Sequence, residues 1–278
     1  MKKMIAMLLA LVMALSLVAC GEKANDGKTD NDTAKTELVL GTSADYAPFE
    51  FMYPDDSGEM VYGGIDVSVA KYIADEMGLS LAVENMGFDY LLASLQKGDF
   101  DIVIAAMEAT EERLNAADFS DPYYTDYPAM ILIKADKADE YTSLDSFSGK
   151  AVAAQTATTK EDIVKNDMPG ANLVSLQVVT DAVNQLVNDK VDAVVLDGSV
   201  AMQYADSNPD LVICAWQFDV AAEYEANVIM ITKGETELLE VVNEALAKAY
   251  ADGLYGTWYD DAVALAKSEN AAEVSVED

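Results

Sequence analysis

One arginine, Arg113, stands in a chain of 278 residues whose other basic side chains are all lysines. It ends the segment Ala106-Met107-Glu108-Ala109-Thr110-Glu111-Glu112-Arg113, directly after the run Asp101 to Ala105, which reads as a buried strand. A planar fork of N–H donors matches a carboxylate as an ammonium does not, so an arginine at a strand's carboxyl end is a candidate anion clamp. An intrahelical ion pair with Glu111 or Glu112 accounts for it equally well. Asp197 follows Val191-Asp192-Ala193-Val194-Val195-Leu196, again at a strand's carboxyl end, where open α/β sheets face their ligands. Its carboxylate could receive an ammonium or cap the helix expected from Ser199. A third place is Gln155 to Asp162, where Thr158 and Glu161 have capping-box spacing. The first-turn amides and hydroxyls of such a helix also form a seat for an anion. Guanidinium, helix start and carboxylate together make a cage for a zwitterion, which is an amino-acid recognition set.

Other chemistries are poorly provided for. There is no histidine, and of the two cysteines Cys214 lies in the apolar run Leu211 to Phe218. Core packing suits it better than nucleophilic work, because no imidazole exists to activate a thiolate. No spacing of ligands suggests a metal, and no motif suggests a cofactor. The net charge of −33 repels phosphate backbones and anionic headgroups, so nucleic acid is excluded as a partner.

Residues 1–19 have the form of an export signal. Lys2 and Lys3 precede the apolar run Ile5 to Val18, and small residues lead into Cys20. The run is short for a membrane span, which needs about 20 residues. Its removal takes two lysines and no acid, leaving 15 basic against 50 acidic side chains and a net charge of −35. Residues 20–36 are rich in Gly, Asn, Asp, Lys and Thr and read as a flexible linker, with a reach of about 20 Å as a coil.

Positioning the three candidate sites requires two β-α-β series. The first runs through Glu37 to Thr42, Ile65 to Met77, Leu79 to Val83, Phe88 to Gln96 and Phe100 to Ala105. In its first helix Val67, Ala70, Ile73, Ala74 and Met77 share a face, Lys71, Asp75 and Glu76 point away, and Gly78 supplies the stop. The second runs through Ala151 to Ala154, Thr159 to Asn166, Leu173 to Leu176, Thr180 to Asn188, Val191 to Leu196 and Ser199 to Ala205. Two apolar strands, Met130 to Ile133 and Asn227 to Thr232, are expected to cross between the lobes, and helices over Glu237 to Asp252 and Trp258 to Ala266 to return over the first. The expected organisation is lobe 1 over 37–129 and 230–268, lobe 2 over 130–229, and a disordered acidic tail over 269–278.

Several motifs, correctly ordered, resemble those of the polar-amino-acid solute-binding proteins of ABC importers, over essentially all of Glu37 to Lys267. They are Tyr46-Ala47-Pro48-Phe49-Glu50-Phe51, Gly64-Ile65-Asp66-Val67, Thr110-Glu111-Glu112-Arg113, Asp118-Phe119-Ser120-Asp121-Pro122-Tyr123-Tyr124, Ala157-Thr158-Thr159, and the strand ending at Asp197. Leu17-Val18-Ala19-Cys20 similarly resembles the bacterial lipobox, whose cysteine carries diacylglycerol. The resemblance implies a two-lobed periplasmic-binding-protein-like α/β fold of type II, each lobe a mixed sheet flanked by helices, joined by two hinge strands. It implies a monomeric lipoprotein held at the extracytoplasmic face of the cell membrane. Its partners would be an amino acid and an importer permease with its ATPase. By the same resemblance Arg113 and Thr159, beside Thr158, would hold the ligand carboxylate, Asp197 and the Ala106 carbonyl its ammonium, and Tyr46, Phe49 and Phe88 would flank its side chain; for the aromatics, core packing is the competing role.

Two positions depart from the family pattern: Glu108 stands where Ser or Thr is usual, and Ala157 where Gly often precedes the threonines. Glu108 doubles the negative charge near the ammonium site, reaches toward a basic group of the ligand, or points to solvent. The middle option favours a basic or amine-rich ligand. Two rival functions are a cyclohexadienyl dehydratase on the same scaffold, with Glu108 as its acid, and a ligand-sensing lipoprotein.

Overall fold

The computed structural model describes residues 35–216, 218 and 226–274, with side chains as far as Lys267. The expected export signal, Cys20 and nearly all of the linker lie outside the described residues.

The first lobe begins with β1 (Glu37–Thr42), β2 (Asp45–Tyr46), β3 (Glu50–Pro54), β4 (Met60–Gly63), α1 (Ile65–Met77), β5 (Ser80–Asn85), α2 (Phe88–Lys97), β6 (Ile102–Val103), α3 (Glu111–Ala116) and β7 (Ala117–Phe119). After β8 (Tyr124–Thr125) the second lobe follows with β9 (Met130–Lys134), β10 (Ala151–Gln155), α4 (Thr159–Asp167), β11 (Asn172–Leu176), α5 (Val179–Val187), β12 (Ala193–Leu196), α6 (Gly198–Ser207) and β13 (Leu211–Ile213). The chain returns through β14 (Ala226–Asn227) and β15 (Met230–Thr232) to α7 (Thr236–Ala251) and α8 (Leu254–Val274).

The two large sheets share one topology. Their orders are β5-β1-β6-β15-β7 and β11-β10-β12-β9-β13, with three parallel strands and an antiparallel fourth in each. Both faces of each sheet are covered, which explains the near-continuous apolar runs in the sequence. In the first sheet Leu38, Leu40, Ile102 and Ile104 enter one core, while Val103 and Ala105 enter another with Leu91 and Leu95 of α2. In the second, Leu132, Ala153, Val194 and Leu196 face one core, and Ile131, Ile133, Val152, Ala154 and Val195 face the other. This alternation is the period of two that a pleated strand imposes.

The strands expected to cross between lobes behave differently. β9 and β15 are the antiparallel fourth strands of the sheets they enter, and the crossing itself is the short ribbon in which Tyr124–Thr125 pairs with Ala226–Asn227. Burial on both faces made the fourth strands conspicuous, whereas a two-residue ribbon leaves no periodic signal. The closing helices also do more than cover the first lobe: α7 packs on α1, whereas α8 touches both α1 and α6. Helix α8 runs to Val274, into the tail expected to be disordered from residue 269, and residues 275–278 lie outside the described residues.

Helix α1 ends at Gly78, whose φ of 70° lets its N–H turn back to the carbonyls of Ala74 and Asp75. Its buried stripe is Ile65, Asp66, Val69, Ala70, Ile73 and Ala74, so Val67 and Met77 sit at the margin and an aspartate is inside. Strand β6 stops after Val103, earlier than the apolar run suggests, because the chain leaves the sheet through Ile104 and turns at Ala106, which takes a φ of 44°.

Candidate functional site

The loop after β6 is pinned from below. Asp66, at the start of α1, accepts the Ala106 N–H at 2.8 Å and the Tyr123 hydroxyl at 2.7 Å. The loop then delivers Glu108 and, through an α3 capped by the Thr110 hydroxyl, Arg113. Arg113 is nine-tenths buried and turns away from Glu111 and Glu112. Its guanidinium donates to the Glu108 carbonyl at 2.8 Å and, across the cleft, to the Ala157 carbonyl at 3.1 Å, and it lies over the Phe88 ring at 5.1 Å.

From the second lobe, Ala157 takes a φ of 63° before α4, the place where glycine would be unstrained. Thr158 is the N-cap, accepting from the Glu161 N–H at 3.2 Å and donating to the Gln155 carbonyl at 2.7 Å. Glu161 reaches back to the N–H of Ala157 rather than that of Thr158, so the capping box is extended by one residue. With its hydroxyl engaged in the cap, Thr158 leaves Thr159 as the hydroxyl directed into the cleft. Thr159 donates to Glu108 Oε1 at 3.0 Å.

Asp197 occupies the N-cap position of α6, yet its carboxylate makes no capping bond. The capping group is Asp126, from the hinge, which accepts from the Ser199 N–H at 3.2 Å and from the Ser199 hydroxyl. Asp197 is thereby free for the cleft, where it accepts from the Tyr46 hydroxyl at 2.8 Å and pairs with Lys160. Between them, Gly198 passes so close to Tyr127 that a Cβ would lie 2.4 Å from that residue's own Cβ.

Arg113, Thr159, Asp197, Glu108 and the Ala106 loop thus converge from both lobes. Phe88 and Tyr46 line the space, Tyr46 through a hydroxyl bound to Asp197. Phe49 does not reach it. It is fully buried behind Tyr46, with ring centroids 6.4 Å apart, and edges onto Tyr124.

Lys160, Asp126, Glu50 and Asp66 escaped the reading of the sequence. Lys160 is buried, its ammonium 2.5 Å from Glu108 Oε1 and in contact with Asp197. Its one advance signal is position: a cation in a helix's first turn opposes the dipole and calls for an acidic partner. Burial would lower its pKa, but Asp197 and Glu108 hold it above the ordinary lysine value. Burial would likewise raise Glu108, yet Lys160 and Arg113 outweigh it and keep the carboxyl below its usual range. Asp197 is raised by burial and by Glu108, against the opposing pull of Lys160.

Four other carboxyls are raised chiefly by burial: Asp45 and Asp66 to about 6, Asp126 to about 7, and Glu50 well above its ordinary value beside Asp66. Each keeps its proton to higher pH in the folded chain than in the unfolded one, so the folded state binds more protons between about pH 4 and 7 and loses stability as pH rises across that window. The depressed carboxyls, Glu108, Glu161, Asp55, Asp118 and Asp189, act only below their ordinary values. Urea unfolding is therefore expected to give a larger unfolding free energy at pH 5 than at pH 8, by on the order of several kcal/mol.

A cavity of about 850 Å³ adjoins the cleft, with Glu108, Asp162, Asp167 and Asp197 against Lys160 as the one base among the described residues that line it, and Tyr127 and Trp216 among its aromatics. No helix among the described residues is long and apolar enough to cross a membrane.

Known proteins resemble the chain in sequence and fold. The chain is 32% identical over 255 residues to the arginine-binding extracellular protein ArtP of Bacillus subtilis, covering 91% of this chain and 94% of that protein. It is 28% identical to the ABC transporter glutamine-binding protein GlnH of the same organism, covering 93% and 96%. The crystal structure of an amino acid ABC transporter substrate-binding protein from Streptococcus pneumoniae bound to L-arginine superposes with a TM-score of 0.79 at 37% identity, covering 82% of this chain and 94% of that one. The family model for bacterial extracellular solute-binding proteins, family 3, matches residues 38–262. With that match and these relatives spanning both lobes, the chain belongs to the bacterial extracellular solute-binding proteins of family 3.

Proposed function

We propose that the protein captures an amino acid, with preference for a basic or amine-rich one, and delivers it to an ABC importer by closure of its two lobes. The observation that carries this reading is the balanced set of buried charges across the cleft: Arg113 with Thr159 for a carboxylate, Asp197 with the Ala106 carbonyl for an ammonium. Each ligand charge meets its first-lobe partner on docking, Arg113 or the Ala106 carbonyl, and gains its second-lobe partner, Thr159 or Asp197, when the lobes meet, which offsets the cost of taking it out of water. A ligand shifts the lobe equilibrium by what it binds better in the closed form, and the importer reads that form. The acidic bias of the adjoining cavity supports a cationic side chain, as do the relatives named for arginine.

Capture without chemistry fits the site better than the dehydratase alternative. A general acid must carry a proton near neutral pH, and Glu108 is held ionised between Lys160 and Arg113. Attachment through lipidated Cys20 at the extracytoplasmic face, with the lobes acting as a monomer at the end of a short linker, completes the proposal.

A thermal-shift screen after unfolding and refolding tests it, using the common amino acids, ornithine, small polyamines and prephenate. Selective stabilisation by one amino acid is expected, of about 2.7 kcal/mol at a hundredfold excess over Kd. Conversion of prephenate to an aromatic product, with no amino acid stabilising the protein, would overturn it.

A further inference from the structure

Both charges of an amino acid are already represented in the cleft by side chains of the protein. The Glu108 carboxylate accepts from Thr159 at 3.0 Å and lies 3.5 Å from the Arg113 guanidinium, the two partners proposed for a ligand carboxylate. The Lys160 ammonium contacts Asp197, the partner proposed for a ligand ammonium. Carboxylate and ammonium meet each other at 2.5 Å. Glu108 belongs to the first lobe and Lys160 to the second, and theirs is the buried ion pair between lobes among the described residues. Between Tyr46, Phe88, Glu108 and Asp197 about 10 Å³ of space is left, roughly the room of a single water.

We infer that Glu108 and Lys160 form an internal zwitterion that draws the lobes together and competes with the ligand, which makes Lys160 a specificity-determining residue. The inference rests on the proposed roles of Arg113, Thr159 and Asp197. An incoming amino acid must take Arg113 and Thr159 from Glu108 and Asp197 from Lys160, and seating its own charges among these partners separates Glu108 from Lys160. The displaced Glu108 carboxylate then needs a cation. A basic amino acid supplies one from its own side chain, and a neutral one does not, so the internal pair selects for basic ligands. It also means that the protein responds to ligand from a partly closed state, with apparent affinity reduced by the fraction of molecules latched.

The paired variant E108S/K160Q tests this, since removing both partners avoids stranding one buried charge. E108Q/K160M, which keeps the side-chain volumes, serves if the first folds poorly. Small-angle scattering without added amino acid reads lobe closure, and calorimetry with L-arginine and L-glutamine reads competition. The variant is expected to have the larger radius of gyration, to bind glutamine about tenfold tighter or more, and to lose discrimination in favour of arginine. An unchanged radius of gyration would overturn the latch whether or not amino acids bind. A variant that opens but binds both amino acids no tighter than the natural protein would overturn the competition while leaving amino-acid capture standing. Binding of no amino acid by either protein would overturn the capture reading and the competition with it, and the scattering would still decide whether the pair closes the lobes.

Discussion

Arg113→Ala is expected to weaken amino-acid binding by about 2–5 kcal/mol, roughly thirtyfold to several thousandfold in Kd. Arg113 is the chain's one guanidinium, is buried, and already has protein acceptors on two sides, Glu108 and Ala157. That arrangement fixes the plane of the fork before a ligand arrives, so little side-chain entropy is lost on binding. Arg113→Lys should recover only a small part of the loss, because an ammonium restores the charge without the paired, coplanar donors. Calorimetric titration of the three proteins checks both statements. A lysine variant that binds as tightly as the natural protein would show that charge alone is read.

Asp197→Asn is expected to be nearly as costly for binding, and it should also cost stability. The ligand ammonium would lose its counter-charge. In the protein, Lys160 would keep Glu108 but lose its second carboxylate, leaving a buried cation less compensated. Breaking one side of a buried pair typically costs about 3–5 kcal/mol, and the surviving contact with Glu108 places the expected loss near the lower end. The Tyr46 hydroxyl can still donate to the amide oxygen, so the geometry around Tyr46 is retained. Adding Lys160→Met to Asp197→Asn removes the under-compensated cation but leaves Glu108 with Arg113 alone, so it should restore part of the stability while the affinity stays far below that of the natural protein, a separation that a double-mutant cycle by urea unfolding and calorimetry measures directly. Equal losses in the single and double variants would contradict the pairing.

The parts of the fold that were legible in the sequence are those whose cause is local. Helix α1 begins and ends where its apolar spacing and Gly78 require, and Thr158 caps α4 through atoms three residues away. The central strands of both sheets are legible because burial on two faces makes them apolar, whereas the short edge strands β7 and β13 carry no such signal. What the sequence hides is long-range. Asp126 caps α6 from 73 residues upstream, and nothing near Ser199 announces it. For the same reason Asp197 could not be told from an ordinary cap until its carboxylate was found facing Tyr46 and Lys160. Phe49 sits in a ligand-contact motif by resemblance but fills the space behind Tyr46. Glu108 looked like an unbalanced charge because its partner Lys160 lies 52 residues away on the other lobe. Glu50 and Asp66 form a buried acid pair that polarity alone would have placed at the surface.

Titration calorimetry of the refolded protein with L-arginine, beside L-glutamine and the remaining common amino acids, addresses amino-acid capture most directly. Saturable 1:1 binding of one amino acid, strongest for a basic one and abolished or greatly weakened by Arg113→Ala, is the predicted result. Absence of binding heat with every amino acid, or binding that survives Arg113→Ala unchanged, would contradict it.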